Sequence, residues 1–308
     1  MSEEYVKPFC AKAVEMDVAD VNLMSYITLA GCAMALKKAE EEGGRQKGGE
    51  KRGRKKEEES YHNKKRRILE KFCNAQVKTH IGPVVKHLDS VKDALLNNGY
   101  GVKECEIESM GRGVVGVGSS FGKILFEVGL SFDPVFNVPY IPGSTLKGAF
   151  RSALEELAGE EEAERVFGSS KVGMGLVGVT DAYPVEARDR LFEPDVLTPH
   201  YPGVETELDV RPKPIQFLTI APGVKFRCYI YYNKGLLARP GRSIKTSDEP
   251  GPNVDIHVGD MGSVKVAAKD LPLVDKAVLY AFARGVGAKT SVGYSRFKLV
   301  KYAIVSSR

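Results

Sequence analysis

The chain has 308 residues, 43% of them apolar, which suits one large domain or two small ones with a substantial core and excludes global disorder. Its formal charge of +5 is only mildly basic, so a nucleic-acid site must be a local cluster and not a uniformly positive surface. No apolar run approaches the roughly 20 residues of a membrane span, Met1-Ser2-Glu3-Glu4 lacks the regions of a secretory signal, and five scattered cysteines without a Cys-x-x-Cys pair suit neither a disulfide framework nor a zinc knuckle. A reducing cytoplasm, with no membrane contact, is the expected setting.

Within residues 10–39, Val21, Met24, Ile27, Leu29 and Ala33 to Leu36 recur at short helical spacing. Charge then concentrates. Between Lys37 and Arg67 stand 13 Lys or Arg against 7 Glu, which outweighs the net charge of the whole chain and leaves the remainder close to neutral. Glu40–Lys56 contains no apolar residue and five glycines, so it buries nothing and is expected to be a mobile insertion. It reads either as an arm that contacts RNA or as a solvated connection between helices, and charge runs are more often the latter. Helical character returns at Lys64–Lys78 and at His87–Asn97, where Leu88, Val91 and Leu95 share a face and Gly99 offers a left-handed cap. Residues 1–100 are thus expected to form a mainly helical N-terminal region, and 101–308 the core.

In that core, Gly122–Phe132 alternates as a strand. A helix is predicted from about Thr145 to Ala158, with Leu146, Phe150, Leu154 and Leu157 as its apolar stripe, and a short helical piece at 160–167. Val172–Asp181 reads as a strand and Pro184–Val210 as mostly loop. Ile215–Ile220 and Val224–Tyr232 read as a strand pair around Ala221-Pro222-Gly223, and 233–262 as another long loop. Asp270 and Pro272 open a last helix that Gly285 closes, and Tyr294–Val305 is the final strand. This order predicts an α+β fold: a ferredoxin-like or RNA-recognition-motif-like antiparallel sheet with helices on one face, long loop insertions and a helical N-terminal region.

Two motifs carry candidate chemistry. In Tyr140–Arg151, Pro142-Gly143 makes a tight turn and Ser144 is a good N-cap, so the helix start at Ser144 and Thr145 presents free amides suited to a phosphate oxygen. Lys147 and Arg151 stand four residues apart on one face. The same residues also suit a capped amphipathic helix with solvated cations. In Gly285–Phe297, Gly285, Gly287 and Gly293 allow positive φ and close backbone approach to a ligand. Lys289, Thr290, Ser291 and Arg296 supply donors, and Tyr294 a ring on which a base can stack. A helix-to-strand connection that uses glycine for geometry alone is the alternative.

Two look-alikes fail. Gly287-Ala288-Lys289-Thr290 resembles the end of a Walker A loop, but Ala288 stands where glycine is required and the helix precedes the loop. Gly111–Gly116 matches the letters of a dinucleotide fingerprint, yet a predicted strand follows it where a helix is needed.

Together these residues resemble the RAMP superfamily. PYIPGSTLKGAFR is similar to its turn-helix element and GVGAKTSVGYSRF to its C-terminal glycine-rich loop. TDAYPV at 180–185, LTPHYP at 197–202 and PKPIQFLTIAPG at 212–223 narrow the resemblance to the sixth-subunit family of Cmr, the type III-B CRISPR effector. It covers about residues 120–305. It implies a ferredoxin-like subunit of a ribonucleoprotein for antiviral defence, in contact with guide (crRNA) and target RNA near the guide 3′ end and with other Cmr/RAMP subunits. It also implies that target cleavage belongs to another subunit. Ser295 stands where glycine is usual in this loop, and a small local effect is expected. No cofactor or metal is expected: Asp181, Glu186, Asp189 and Glu193 lack rigid ligand spacing. Some relatives are metal-independent ribonucleases with a catalytic histidine. Here only His200, near Asp195, Tyr201 and Asp181, sits in a suggestive loop, and a lone loop histidine is more often structural. Endoribonuclease action on guide or target RNA is the alternative reading.

Overall fold

The computed structural model of the chain describes residues 21–43, 63–73, 78–119, 121–123, 125–197, 214–234, 253–257, 263–267 and 272–305. The expected mobile insertion lies largely outside them. Three helices come first: α1 (Leu23–Gly43), α2 (63–73) and α3 (Lys78–Asn97). Helix α3 begins well before the expected His87, running through Pro83, and Gly99 follows it at φ 78° as its spacing predicted. Leu23, Tyr26 and Ile27 of α1, Ile68 and Phe72 of α2 and Val84 and Leu88 of α3 are buried in one core with Phe121, Phe150 and Phe192. The Phe72 ring lies 5.4 Å from Tyr26, 6.1 Å from Phe121 and 6.3 Å from Phe192.

Then follow β1 (Tyr100–Ser109), β2 (Phe132–Asp133), β3 (Val138–Pro139), α4 (Gly143–Ala158), α5 (Glu160–Phe167), β4 (Gly168–Ser169), β5 (Gly173–Met174), β6 (Val177–Val179), β7 (Tyr183–Glu186) and β8 (Phe192–Leu197). The remainder is β9 (Ile215–Ile220), β10 (Lys225–Asn233), β11 (Asn253–His257), β12 (Ser263–Ala267), α6 (Leu273–Arg284) and β13 (Phe297–Val305). The main sheet is antiparallel, in the order β13-β1-β10-β6, with β7 also on β10. With helices packed on the sheet, this is the mixed α+β arrangement that the order of elements predicted.

Register explains the two faces of the sheet. Cys105 sits opposite Cys228 and Tyr302, so these point to one face. Helices α4 and α6 cover that face, with Phe150 and Phe282 edge to face at 5.4 Å. Asp275 of α6 is buried there, and accepts hydrogen bonds from Lys103 at 2.7 Å and Tyr302 at 2.5 Å. Unpaired, such a buried carboxylate would cost several kcal/mol. On the other face, Glu104 meets Lys301 at 2.8 Å, Glu106 meets Arg227 at 2.8 Å, and Glu108 meets Lys298 at 3.1 Å. Helix α3 packs across part of this second face, with His87 against the rings of Phe136 and Tyr183.

Several local expectations change. The described residues of 122–128 form turns and bends and not a strand: the N–H groups of Leu125 and Phe126 both reach Gly122 C=O, and the neighbours Leu125 and Phe126 are both buried, which an alternating strand cannot achieve. Val172–Asp181 is broken at Gly175, where a Cβ would stand 2.3 Å from the Phe167 carbonyl carbon. Part of the expected loop 184–210 is strand: β7 joins the main sheet, and β8 pairs with β9. β9 and β10 are both strands, but each pairs elsewhere and not with the other. Within the expected loop 233–262 lies strand β11, which pairs with β12 just beyond it.

Candidate nucleic-acid interface

The glycine loop is built by two backbone devices. Val286 N–H donates to Ser295 C=O at 2.9 Å and pinches off residues 287–294. The loop is then zipped onto residues 110–114: Ala288 N–H to Val114 C=O at 2.8 Å, Ser295 N–H to Arg112 C=O at 2.9 Å, and Met110 N–H to Arg296 C=O at 2.9 Å. Gly287 has φ 133°, and a Cβ there would stand 2.7 Å from Val114 O and 2.8 Å from Ser295 Oγ, so only glycine fits. Lys289 and Ser295 occupy the left-handed region at φ 59° and 52°. Ser295 is buried, and its Oγ accepts from Val114 N–H at 2.8 Å while donating to Val114 C=O at 3.0 Å. These two bonds offset the left-handed strain and account for a residue other than glycine at this position.

Ser291, Val292, Gly293 and Arg296 form an exposed rim, joined by Met110 and Arg112 of the zipped segment. Met110 is 65% and Val292 68% exposed, so apolar and cationic groups stand side by side in water. Lys289 turns partly inward, its Nζ 5.5 Å from the Tyr294 ring centroid and 5.8 Å from that of Phe217. Thr290 C=O accepts from Arg296 Nε at 3.4 Å. Tyr294 O–H donates to Asp195 of β8. This bond first, and partial burial second, raise the hydroxyl above its usual pKa and keep it a donor at neutral pH.

The start of α4 is organised differently. Its N-cap is Pro142, not Ser144, which is exposed and makes no capping bond. The first free amide, Gly143 N–H, donates to Asp181 Oδ1 at 2.6 Å. A Cβ on Gly143 would meet Val179 O at 2.6 Å, so the helix start is pressed onto the end of β6. Thr145 N–H bonds Pro142 C=O at 2.9 Å. Arg151 Nη2 lies 3.6 Å from Glu164 of α5, whereas Lys147 has no anionic partner among the described residues. The two motifs therefore dock on different supports, residues 179–181 for one and residues 110–114 with β8 and β9 for the other. Helices α4 and α6 meet instead through Phe150 against Phe282 and the Glu156–Arg284 pair.

Sequence reasoning does not reach Arg112, and it names Glu193 only as a rejected metal ligand and Asp195 only beside His200, not as neighbours of the glycine loop. The segment that brings Arg112 there is Gly111–Gly116, which matches a dinucleotide fingerprint only in its letters. Its glycines serve packing: Gly113 exchanges both backbone hydrogen bonds with Ile220, and Gly116 has φ 76° with Ser131 Oγ where a Cβ would lie. The His200 side chain lies outside the described residues. Among the described residues, no group of three or more His, Cys, Asp or Glu is arranged to hold a metal ion, and no helix is long and apolar enough to cross a membrane.

The profile of the RAMP superfamily matches residues 79–298. The chain belongs to the RAMP superfamily. This RAMP protein is 38% identical over 222 residues to the CRISPR system CMR subunit Cmr6 of Saccharolobus solfataricus, a match spanning 72% of this chain and 66% of that one, just under two thirds of the relative's length. Its fold is similar to a chain in the cryo-EM structure of the type III-B Cmr-beta complex bound to cognate target RNA, with a TM-score of 0.75, 30% identity and 99% of both chains covered.

Proposed function

We propose that this RAMP protein is a non-catalytic RNA-binding subunit of a type III-B CRISPR (Cmr) effector that lines guide RNA and its paired target near the guide 3′ end. The observation that carries this reading is the rim of the glycine loop. It offers a cation, a hydroxyl and exposed backbone on a support rigidified by the zipped segment, within a fold similar over its whole length to a chain of an RNA-bound Cmr assembly. Ordered donors contribute affinity without an ordering cost on binding. The other Cmr subunits are the protein partners that follow from this reading, and the cytoplasm is the corresponding location.

The test is binding of labelled single-stranded RNA across a salt series in EDTA. The double variant Lys289→Ala with Arg296→Ala is expected to weaken binding about tenfold and to lower the salt slope by about one to two. Unchanged affinity and slope would remove the loop from the interface. Discrete cleavage products that vanish in His200→Ala would overturn the non-catalytic reading.

A further inference from the structure

We propose that Arg112 and Tyr294 form a two-donor site for an RNA phosphate, occupied in the unbound chain by Asp195 and vacated when RNA displaces that carboxylate. The proposal rests on the RNA-binding reading of the glycine loop and adds a residue, Arg112, and a competitor, Asp195.

The argument starts from what converges on Asp195. Its Oδ2 accepts from Tyr294 O–H, and its Oδ1 lies 3.5 Å from Arg112 Nη1 and accepts from Val196 N–H at 2.8 Å. Arg112 Nη2 lies 3.5 Å from Glu193, whose Oε1 also receives Arg190 at 3.1 Å. Tyrosine hydroxyl and guanidinium are the donors that a phosphate oxygen pair engages, and the guanidinium does so in a planar fork. A carboxylate presents similar oxygens with less charge, so Asp195 stands where a phosphate would.

Exchange is favoured by how loosely the acid holds the arginine. Both Arg112 contacts are long, at 3.5 Å, and its side chain is 42% exposed, so water reaches the pair from the arginine side although Glu193 and Asp195 are only 17% and 12% exposed. The backbone beneath is fixed, because Arg112 C=O accepts from Ser295 N–H. Arg112 is thus a loosely held guanidinium on an anchored stem, next in the chain to Met110 and Gly111, whose backbones lie against Arg296 C=O and Gly293 C=O of the rim. Among the described residues, Lys289, over the Tyr294 ring, and Arg190, beside Glu193, also bring charge to this site.

The experiment is fluorescence anisotropy of a single-stranded RNA oligonucleotide with the full chain over a salt series. Asp195→Asn preserves shape and can still accept from Tyr294. It is expected to tighten binding by about fivefold, the strength of one long, partly exposed pair removed, and to steepen the salt slope by about one. Arg112→Ala is expected to weaken binding and flatten the slope by about one. In the double variant the gain from Asp195→Asn disappears, because its beneficiary is gone. Asp189→Asn makes the same charge change at an exposed neighbouring position and is expected to leave affinity nearly unchanged. Melting curves of each variant establish that it is folded, and Arg112→Gln, which removes the charge but keeps most of the side chain, replaces Arg112→Ala if that variant unfolds. The proposal is overturned if Asp195→Asn leaves binding unchanged or weakens it, if its gain survives in the double variant, or if Asp189→Asn produces the same gain. Should the Lys289 and Arg296 variant also leave binding untouched, it is the RNA-binding reading of the loop that falls. If that variant weakens binding while Asp195→Asn does nothing, only the occupancy by Asp195 is refuted.

Discussion

The start of α4 and the glycine loop look alike as sequence, each with a glycine turn, hydroxyl residues and two cations, yet the fold treats them differently. At α4 the chain consumes its own donors: Asp181 takes the Gly143 amide, and Glu164 stands beside Arg151. At the loop the inner backbone is consumed by residues 110–114, and that leaves the rim from Ser291 to Gly293, with Arg296, facing water. A donor-rich motif becomes a plausible ligand site only when the structure leaves its donors unclaimed or weakly claimed. By that measure the loop outranks the helix start, and Lys147 is the cation at α4 least committed to the chain itself.

The largest expected effect tests whether the loop is one rigid unit. Gly287→Ala must place a methyl 2.7 Å from Val114 O at φ 133°, where a side chain is strained whatever the space. Strain and clash together are expected to cost about 3 kcal/mol, on the order of 5 °C or more in melting temperature. RNA affinity should fall with it, because the zipper to residues 110–114 sets the rim. A variant that melts normally and binds RNA normally would show that the loop tolerates repacking, and the contrast with α4 would weaken.

A smaller effect isolates the helix start. Asp181→Ala removes the acceptor of Gly143 N–H and is expected to lower stability by about 1 kcal/mol, as loss of an N-terminal cap does. Thermal denaturation reads the loss. RNA affinity should stay within about twofold, a difference of well under 1 kcal/mol. If affinity instead rose strongly, the freed amides would be binding phosphate, and the helix start would rank equal to the loop.

How much of this was readable beforehand depended on whether a segment carries its own signal. Helix α6, its closing Gly285 and the final strand follow from local pattern and emerged close to the predicted bounds. Strand β1, central in the sheet, has no counterpart among the predicted elements: Lys103, Glu104, Glu106 and Glu108 put a charge at almost every second position and mask the signal of a buried strand. Their partners, Arg227, Lys298, Lys301 and Asp275, lie more than a hundred residues away in sequence and meet them only in the folded sheet. The same holds for the site. Glycines and cations of the loop were visible in the sequence, whereas Arg112, Glu193 and Asp195 become neighbours of the loop only through the zipper and the β8–β9 pair.

The smallest expected effect concerns Ser295, a non-glycine residue in the left-handed region. Ser295→Gly relieves the left-handed strain of φ 52° but deletes the two Oγ bonds to Val114. Strain of about 1 kcal/mol and two bonds of about 0.5–1.5 kcal/mol each nearly offset, so the net loss should be about 1 kcal/mol or less. Ser295→Ala keeps the strain and loses both bonds, leaving the buried Val114 N–H without a partner while Val114 C=O keeps Ala288 N–H, at a cost of about 2 kcal/mol. Alanine should thus be worse than glycine, by thermal denaturation, reversing the usual order in which adding a methyl to glycine stabilises a chain. Both variants lose the same hydroxyl bonds, so the opposite order would mean that the left-handed backbone angle at this position costs alanine little.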